Sequence, residues 1–205
     1  MILVLDEFVT CAQDVLDLGI EHGDVISFDP HFTYTKEGFI RSRFIDDKAC
    51  VASVFVVLDY LKKHHLKPKY TTHFAFPIYE EIGHGGAVIP AGVEEYVALD
   101  IGLIGPDYHG AEDKVSICAK DNYSPYDRGL ITRMIQYAKA VNVNYCVDVF
   151  YRYGTDANAS VRAGNEVYAA AFGMGCLCSH GVERTHVKGL EETAKLTLAY
   201  VLDLK

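Results

Sequence analysis

Residues 46–65 read DDKACVASVFVVLDYLKKHH, a stretch that is apolar on nearly every face until Tyr60 and then becomes basic. The two aspartates at its start complement the positive end of a helix dipole, and the lysines and histidines at its end complement the negative end. A helix with apolar side chains all around it is typical of burial inside a fold. The stretch therefore predicts a buried helix that begins near Asp46.

Strand and helix patterns alternate on both sides of this stretch. Apolar residues at helical spacing precede Gly19, where a helix would stop. Extended segments are predicted over 25–28, 32–34, 39–45, 70–79, 145–153 and 166–174, a further apolar run over 96–105, and helices over 130–141 and 190–204. This order predicts an α/β fold, a three-layer sandwich in which helices cover both faces of a mixed, mostly parallel sheet.

Composition narrows the class of protein. A chain of 205 residues, half of them hydrophobic, predicts a single domain over residues 1–205. The formal net charge of −9 argues against a nucleic-acid partner, because phosphate backbones attract basic surfaces. No charge-free apolar run reaches the roughly 20 residues that cross a bilayer, so we expect no membrane partner. Six scattered cysteines indicate free thiols in a reducing, cytoplasmic compartment.

Carboxylates follow several of the predicted strands. Asp46 follows the 39–45 segment, Glu80 and Glu81 follow the 70–79 segment, and Asp100 lies in the 96–105 run. A carboxylate at the end of an apolar strand is costly to desolvate unless it is paired or bound to a cation. Each also has an ordinary explanation as a helix cap, a solvated loop or a turn residue. Their combination favours a cation site at the carboxyl ends of the strands.

Two histidines lie in the stretch CSHGVERTHVKGLEET, just before the last predicted helix. Its glycines would let the segment turn back towards the strand ends. We interpret His180 as an ordinary exposed loop histidine and keep His186 as the candidate ligand.

Five motifs together resemble a known family. SRFIDDKACVA, YEEIGHGGA, VALDIG, YGTDANA and ERTH occur in an order and spacing similar to those of the glutamyl and deblocking aminopeptidases, the tetrahedral aminopeptidase family of dinuclear metallopeptidases. Some members carry an endoglucanase label. The likeness covers nearly the whole chain and implies a zinc-peptidase-like fold, a peptide substrate, two divalent ions such as zinc or cobalt, and a homo-oligomer.

The resemblance also implies residue roles. Glu80 would be the general base, and Asp47 would support the ligands through a cis peptide bond with Asp46. The implied metal ligands are Asp46, Glu81, Asp100 and His186, and Asp46 would bridge the two ions. The segment Gly154-Thr155-Asp156 matches a family segment beside the substrate pocket, although a tight turn explains it equally well from sequence alone.

One family ligand has no counterpart here. The family carries a histidine in an H-x-D motif upstream of an inserted assembly domain, and this chain resembles a member shortened at the N-terminus that lacks both. One metal position would then be incomplete, with His109 as a candidate substitute. We therefore carry three hypotheses: a metal-dependent aminopeptidase, a non-catalytic metal- or peptide-binding remnant, and a glycosidase that works without metal.

Overall fold

The computed structural model describes residues 2–204, so the two terminal residues of the expected 1–205 domain lie outside it. The described chain forms a mixed α/β fold in which sheets are flanked by helices, as predicted. The helices are α1 (Ala12–Asp17), α2 (Ile45–Lys63), α3 (Arg128–Ala140), α4 (Asp156–Arg162) and α5 (Val187–Leu202). The strands are β1 (Thr33–Tyr34), β2 (Phe39–Ser42), β3 (Glu95–Leu99), β4 (Gly102–Leu103), β5 (Val115–Lys120), β6 (Tyr145–Val149), β7 (Tyr168–Cys176) and β8 (Glu183–His186).

The larger sheet is built around β7. Strands β3 and β4 pair with it in parallel, β5 pairs with it antiparallel, and β6 pairs with β5 in parallel. Eight of the nine residues of β7 are buried, which fits a strand covered on both faces. Because β3 and β7 are parallel neighbours, the segments that follow them leave the sheet at the same edge. That edge carries the candidate site.

A smaller antiparallel sheet has the order β1-β2-β8. Its register places Ser42 opposite Glu183 and Phe39 opposite His186. Strand β8 follows β7 through a turn closed by paired backbone hydrogen bonds between Leu177 and Arg184. One end of β8 therefore lies beside the start of α2, while the other end lies beside Phe39.

The main core lies between the larger sheet and its helices. Asp127 caps helix α3, since its side chain accepts a hydrogen bond from the Leu130 N–H group. The helix buries Leu130, Met134 and Tyr137. Ile117 and Phe172 of the sheet belong to the same cluster. The boundaries predicted for this helix, for β7 and for α5 agree with the structure to within a few residues.

Three expectations need correction. The helix predicted near the N-terminus is confined to Ala12–Asp17, which buries no side chain and so lacks the packing that stabilises helices. Segments 25–28 and 70–79 form no strand within the described chain, because strand formation requires a partner for the backbone groups. Helix α2 is present, but Phe55 and Val56 are exposed, so it is covered on one side only.

None of the helices between residues 2 and 204 combines the length and the apolar character that crossing a membrane requires.

Candidate active site

Asp46 lies where the small sheet passes into helix α2. The Asp46–Asp47 peptide bond is cis, as the resemblance implied, and the preceding Phe44 has a left-handed backbone with φ of 63°. The Asp46 side chain is 9% exposed, and its Oδ2 atom accepts a hydrogen bond of 2.7 Å from the Ser179 hydroxyl. Asp46 therefore projects a held carboxylate towards the turn that follows β7.

Glu80 and Glu81 lie in a single 3₁₀ turn, Glu80–Ile82, closed by Gly83 in a left-handed conformation. Successive side chains of a 3₁₀ turn diverge by about 120°, so two adjacent glutamates there serve different neighbours. The Glu81 Oε2 atom lies 3.2 Å from Nε2 of His180. Glu80 lines the adjoining cavity, and burial raises its pKa to about 7, with a smaller contribution from the Asp156 carboxylate.

Asp100 directly follows β3 and is buried, and its carboxylate accepts a hydrogen bond of 2.7 Å from the Ile101 N–H group. One oxygen each of Asp46, Asp47 and Asp100 come within 4.8 Å of one another. Burial raises the pKa of both Asp47 and Asp100, and the neighbouring negative charges add to the rise. Three carboxylates thus converge where an uncompensated charge is expensive.

His180 completes a second group of candidate ligands. Its Nε2 atom lies 3.3 Å from Asp46 Oδ2, and ligand atoms of Asp46, Glu81 and His180 come within 4.8 Å of one another. His180 is in the turn between β7 and β8 and has a left-handed backbone with φ of 64°. The side chain is 70% exposed, as interpreted from the sequence, and the loop also folds back so that the imidazole lies beside Asp46.

His186, the histidine expected from the motif, does not join either group. Its Nδ1 atom accepts a hydrogen bond from the Lys188 N–H group, so Nε2 carries the proton, which it donates to the Glu37 carbonyl at 2.7 Å. The ring packs edge-on against Phe39. A strand rises about 3.3 Å per residue, which puts His186 about 10 Å along β8 from Glu183 and away from Asp46. The structure therefore places His186 outside both candidate ligand groups and His180 inside one of them.

His109, considered as a substitute, is held elsewhere. Its Nδ1 atom and its backbone N–H group both contact Asp148 Oδ1, at 2.8 and 2.9 Å. It belongs to neither candidate ligand group of the described residues.

The clustered carboxylates fit divalent cations. Asp47 Oδ1 is buried without a hydrogen-bond partner among residues 2–204, and Asp46 contributes to both ligand groups. One group offers two carboxylates and an imidazole, a donor set that zinc accepts. The other offers three carboxylates and no imidazole, which suits a harder ion or a weaker transition-metal site.

A cavity of about 520 Å³ opens beside these groups and includes Asp46, Glu80, Glu81, Asp100 and His180 in its wall. Gly154 and Thr155 line it as well, and the buried Thr155 hydroxyl lies 2.7 Å from the Tyr126 hydroxyl. Asp156 does not line it. It packs instead against Gly85 and Gly86, where an added Cβ at either position would overlap Asp156. Arg152 and Arg162 are the cations of the wall, and the Arg162 guanidinium lies 4.0 Å from the centre of the Tyr123 ring.

Sequence reasoning missed Ser179, which donates a hydrogen bond to Asp46, and Glu183, which accepts hydrogen bonds from the N–H groups of Asp46 and His180. Neither residue belongs to a ligand group of the described residues. Glu183 stood inside the ERTH motif, but its side chain contacts are set by the pairing of β8 with β2, which the sequence pattern does not specify.

Comparisons with a family model and with a known protein both identify aminopeptidases as relatives of this chain. A family model described as M42 glutamyl aminopeptidase matches residues 1–196. A Bacillus subtilis (strain 168) protein named "Putative aminopeptidase YhfE" is 41% identical over 198 residues, which are 96% of this chain and 57% of that protein. The chain thus spans little more than half the length of this relative.

Solved structures share the fold at low sequence identity. The TET1 peptidase of Pyrococcus horikoshii, described as able to assemble into a tetrahedron or a large octahedral shell, matches with a TM-score of 0.80 and 24% identity, over 94% of this chain and 58% of that one. A Thermotoga maritima structure described as an endoglucanase matches with a TM-score of 0.63 and 17% identity, over 84% and 52%.

Proposed function

Because this chain belongs to the M42 glutamyl aminopeptidase family, we propose that residues 1–205 form a catalytic-type domain of a metal-dependent aminopeptidase that cleaves N-terminal residues from peptides. The observation that carries the proposal is Asp46, whose carboxylate belongs to both groups of candidate ligands. Two divalent ions, zinc or cobalt, would polarise the scissile carbonyl and supply an activated water. Asp46, Glu81 and His180 would hold one ion, and Asp46, Asp47 and Asp100 the other.

Glu80 is the proposed general base. It lies next to Glu81 on the same turn and lines the cavity, yet it belongs to neither ligand group. A carboxylate so placed takes the proton of the attacking water and delivers it to the leaving amine. The two glutamates have different surroundings: Glu81 lies beside His180, and Glu80 lines the cavity.

The cavity wall suggests the class of substrate. Arg152 and Arg162 are cations in an otherwise acidic cavity, and both line the same wall as Gly154 and Thr155. A guanidinium recognises a carboxylate through paired hydrogen bonds. We assign the side chain of an acidic N-terminal residue to this wall, with Gly154, Thr155 and Asp156 as the substrate-binding segment, Asp156 acting through the glycines it contacts.

A second candidate function is a metal- or peptide-binding domain without turnover. It is favoured by the all-carboxylate group of Asp46, Asp47 and Asp100, which lacks the imidazole that would strengthen a transition-metal site. Titration with cobalt, followed by assays on aminoacyl anilides, separates the two. Two strong equivalents with hydrolysis support the aminopeptidase, whereas one equivalent without hydrolysis supports the binding domain. Cellulose hydrolysis that resists chelator would instead revive the glycosidase hypothesis.

We also propose that the protein self-associates in the cytoplasm. Phe55, Phe76 and Ile78 are exposed, and the rings of Phe55 and Phe76 stack at 5.6 Å. Exposed apolar patches of this kind mark contact surfaces. Light scattering of the purified chain tests this proposal, and a monomer at micromolar concentration would contradict it.

A further inference from the structure

We propose that Glu183 is a positioning residue that fixes the separation between Asp46 and His180, an inference that rests on the metal-binding part of the proposed function. Glu183 opens strand β8 and is only 2% exposed. Its two carboxylate oxygens face two different segments of the chain. Asp46 comes from the start of α2, and His180 comes from the turn after β7.

The contacts join these segments directly. The Glu183 Oε2 atom accepts hydrogen bonds from the N–H groups of Ile45 at 2.5 Å and Asp46 at 3.1 Å. The other oxygen, Oε1, accepts from the N–H group of His180 at 2.9 Å. One carboxylate therefore ties together the backbones that carry two candidate ligands. Hydrogen bonds to an ionised acceptor are stronger than neutral ones, so this tie is stiff.

Electrostatics and hydrogen bonding together explain why a carboxylate, and not an apolar side chain, occupies position 183. Glu183 adds a negative charge beside Asp46 and Glu81, where carboxylates already crowd. An apolar side chain would avoid that repulsion but would leave three N–H groups unpaired, the buried one of Ile45 and the part-buried ones of Asp46 and His180. The three N–H donors offset the repulsion at Glu183, and a bound cation would offset it further.

The backbones on both sides of the tie need support. Phe44, just before Ile45, and His180 both have left-handed conformations, which disfavour residues with a Cβ atom. Such conformations persist when surrounding contacts over-determine them. Glu183 supplies one contact at Ile45 and one at His180, so its loss would let both ligand-bearing segments relax.

The test is cobalt binding to Glu183→Gln, with Glu112→Gln as the matched control. A glutamine has one acceptor oxygen, so it can accept hydrogen bonds from one of the two segments only. Its NH2 group would face the N–H groups of the other segment, and the link between the two segments would be lost. Glu112 pairs with Arg184, the next residue of β8, and contacts neither ligand group. We expect Glu183→Gln to weaken cobalt binding 10- to 100-fold, as outer-shell changes do, and to alter the visible spectrum at saturating cobalt. Glu112→Gln should lower the melting temperature and leave both readouts unchanged.

A wild-type dissociation constant and an unchanged spectrum for Glu183→Gln would overturn the proposal, even if the variant melts earlier. Should that variant fail to fold, hydrogen exchange on the wild-type protein decides. The His180 and Asp46 amides should be protected, and exchange at the rate of an exposed loop would overturn the proposal. Cobalt binding without anilide hydrolysis would contradict the aminopeptidase function but would not affect the proposal for Glu183. If the wild-type protein bound no cobalt, both the proposed function and the proposal for Glu183 would be overturned.

Discussion

The Ser179 hydroxyl donates a hydrogen bond of 2.7 Å to Asp46 Oδ2, the oxygen that also lies 3.3 Å from His180 Nε2. Ser179 and His180 are consecutive residues of the turn after β7, so one turn supplies both the group that orients Asp46 and the imidazole beside it. This arrangement makes the turn, rather than the end of β8, the histidine-bearing wall of the site.

Replacing Ser179 with alanine removes that hydrogen bond while leaving the candidate ligands in place. A hydrogen bond to a charged acceptor contributes about 1.5–3 kcal/mol, so we expect metal affinity to fall roughly 10-fold or more. Isothermal titration with zinc measures the change. The control is Ser124→Ala, because Ser124 bonds Asn158 and contacts no candidate ligand. Equal affinities for Ser179→Ala and wild type would show that the hydroxyl does not orient Asp46.

The two histidines should behave in opposite ways. His180→Ala removes a candidate ligand, and we expect it to abolish tight binding of the first metal equivalent with little change in the stability of the metal-free protein. His186→Ala removes the cap of α5 and a part-buried hydrogen bond to the Glu37 carbonyl, so it should cost about 2 kcal/mol of unfolding free energy and leave metal affinity intact. Metal titration and urea unfolding of both variants provide the measurements. Loss of metal binding by His186→Ala alone would reverse the assignment.

The different positions of His180 and His186 show that the sequence pattern does not specify which histidine lies beside Asp46. Both lie in one glycine-containing stretch, six residues apart, and either could reach the strand ends if only local signals counted. The antiparallel pairing of β8 with β2 decides, because it places Glu183 opposite Ser42 and carries His186 to Phe39. That register is a long-range property, set by packing between distant segments.

Helices and strands whose sequence pattern lies within a single element could be predicted from the sequence. The apolar run over 96–105 overlaps β3, and the extended segment predicted over 166–174 coincides with β7 to within two residues. Segment 70–79 shows the opposite case: its residues have strand character, but a strand also needs a neighbour, and no other part of residues 2–204 pairs with it.

Replacing Glu80 with glutamine tests the general base. The amide keeps the size of the side chain but does not accept the proton, so we expect the turnover number for aminoacyl anilides to fall about 10²- to 10⁴-fold. Metal affinity should stay near the wild-type value, because Glu80 belongs to neither ligand group. Glu81→Gln is the matched comparison and should weaken metal binding as well. If Glu80→Gln retained full turnover in saturating metal, the base would have to be another group.

Arg152 and Arg162 should set the preference for the N-terminal residue. We expect the double variant Arg152→Ala, Arg162→Ala to raise KM for a glutamyl anilide at least 10-fold while changing that for a leucyl anilide little, because the lost hydrogen bonds are made only to a carboxylate. The ratio of kcat/KM for the two anilides measures the effect. Both substrates weakened to the same extent would place the arginines outside the specificity pocket.

The surroundings of Gly86 leave no room for a side chain without a local rearrangement. Its Cα faces the Asp156 carbonyl at the start of α4, and a Cβ there would overlap that carbonyl and lie 3.1 Å from Ser160 Cβ. Overpacking of this kind costs about 1–3 kcal/mol, so we expect Gly86→Ala to lower the urea midpoint accordingly. Because α4 follows Gly154 and Thr155 in the cavity wall, KM for an anilide should also rise.

The control for this change is Gly105→Ala, where the nearest atom to an added Cβ is Tyr108 Cδ2 at 3.5 Å, an ordinary contact. Gly105→Ala should unfold within about 0.5 kcal/mol of wild type. A Gly86→Ala protein as stable as Gly105→Ala would mean that α4 can move away from the glycine loop. In that case the contact with Gly85 and Gly86 would not fix the position of Asp156.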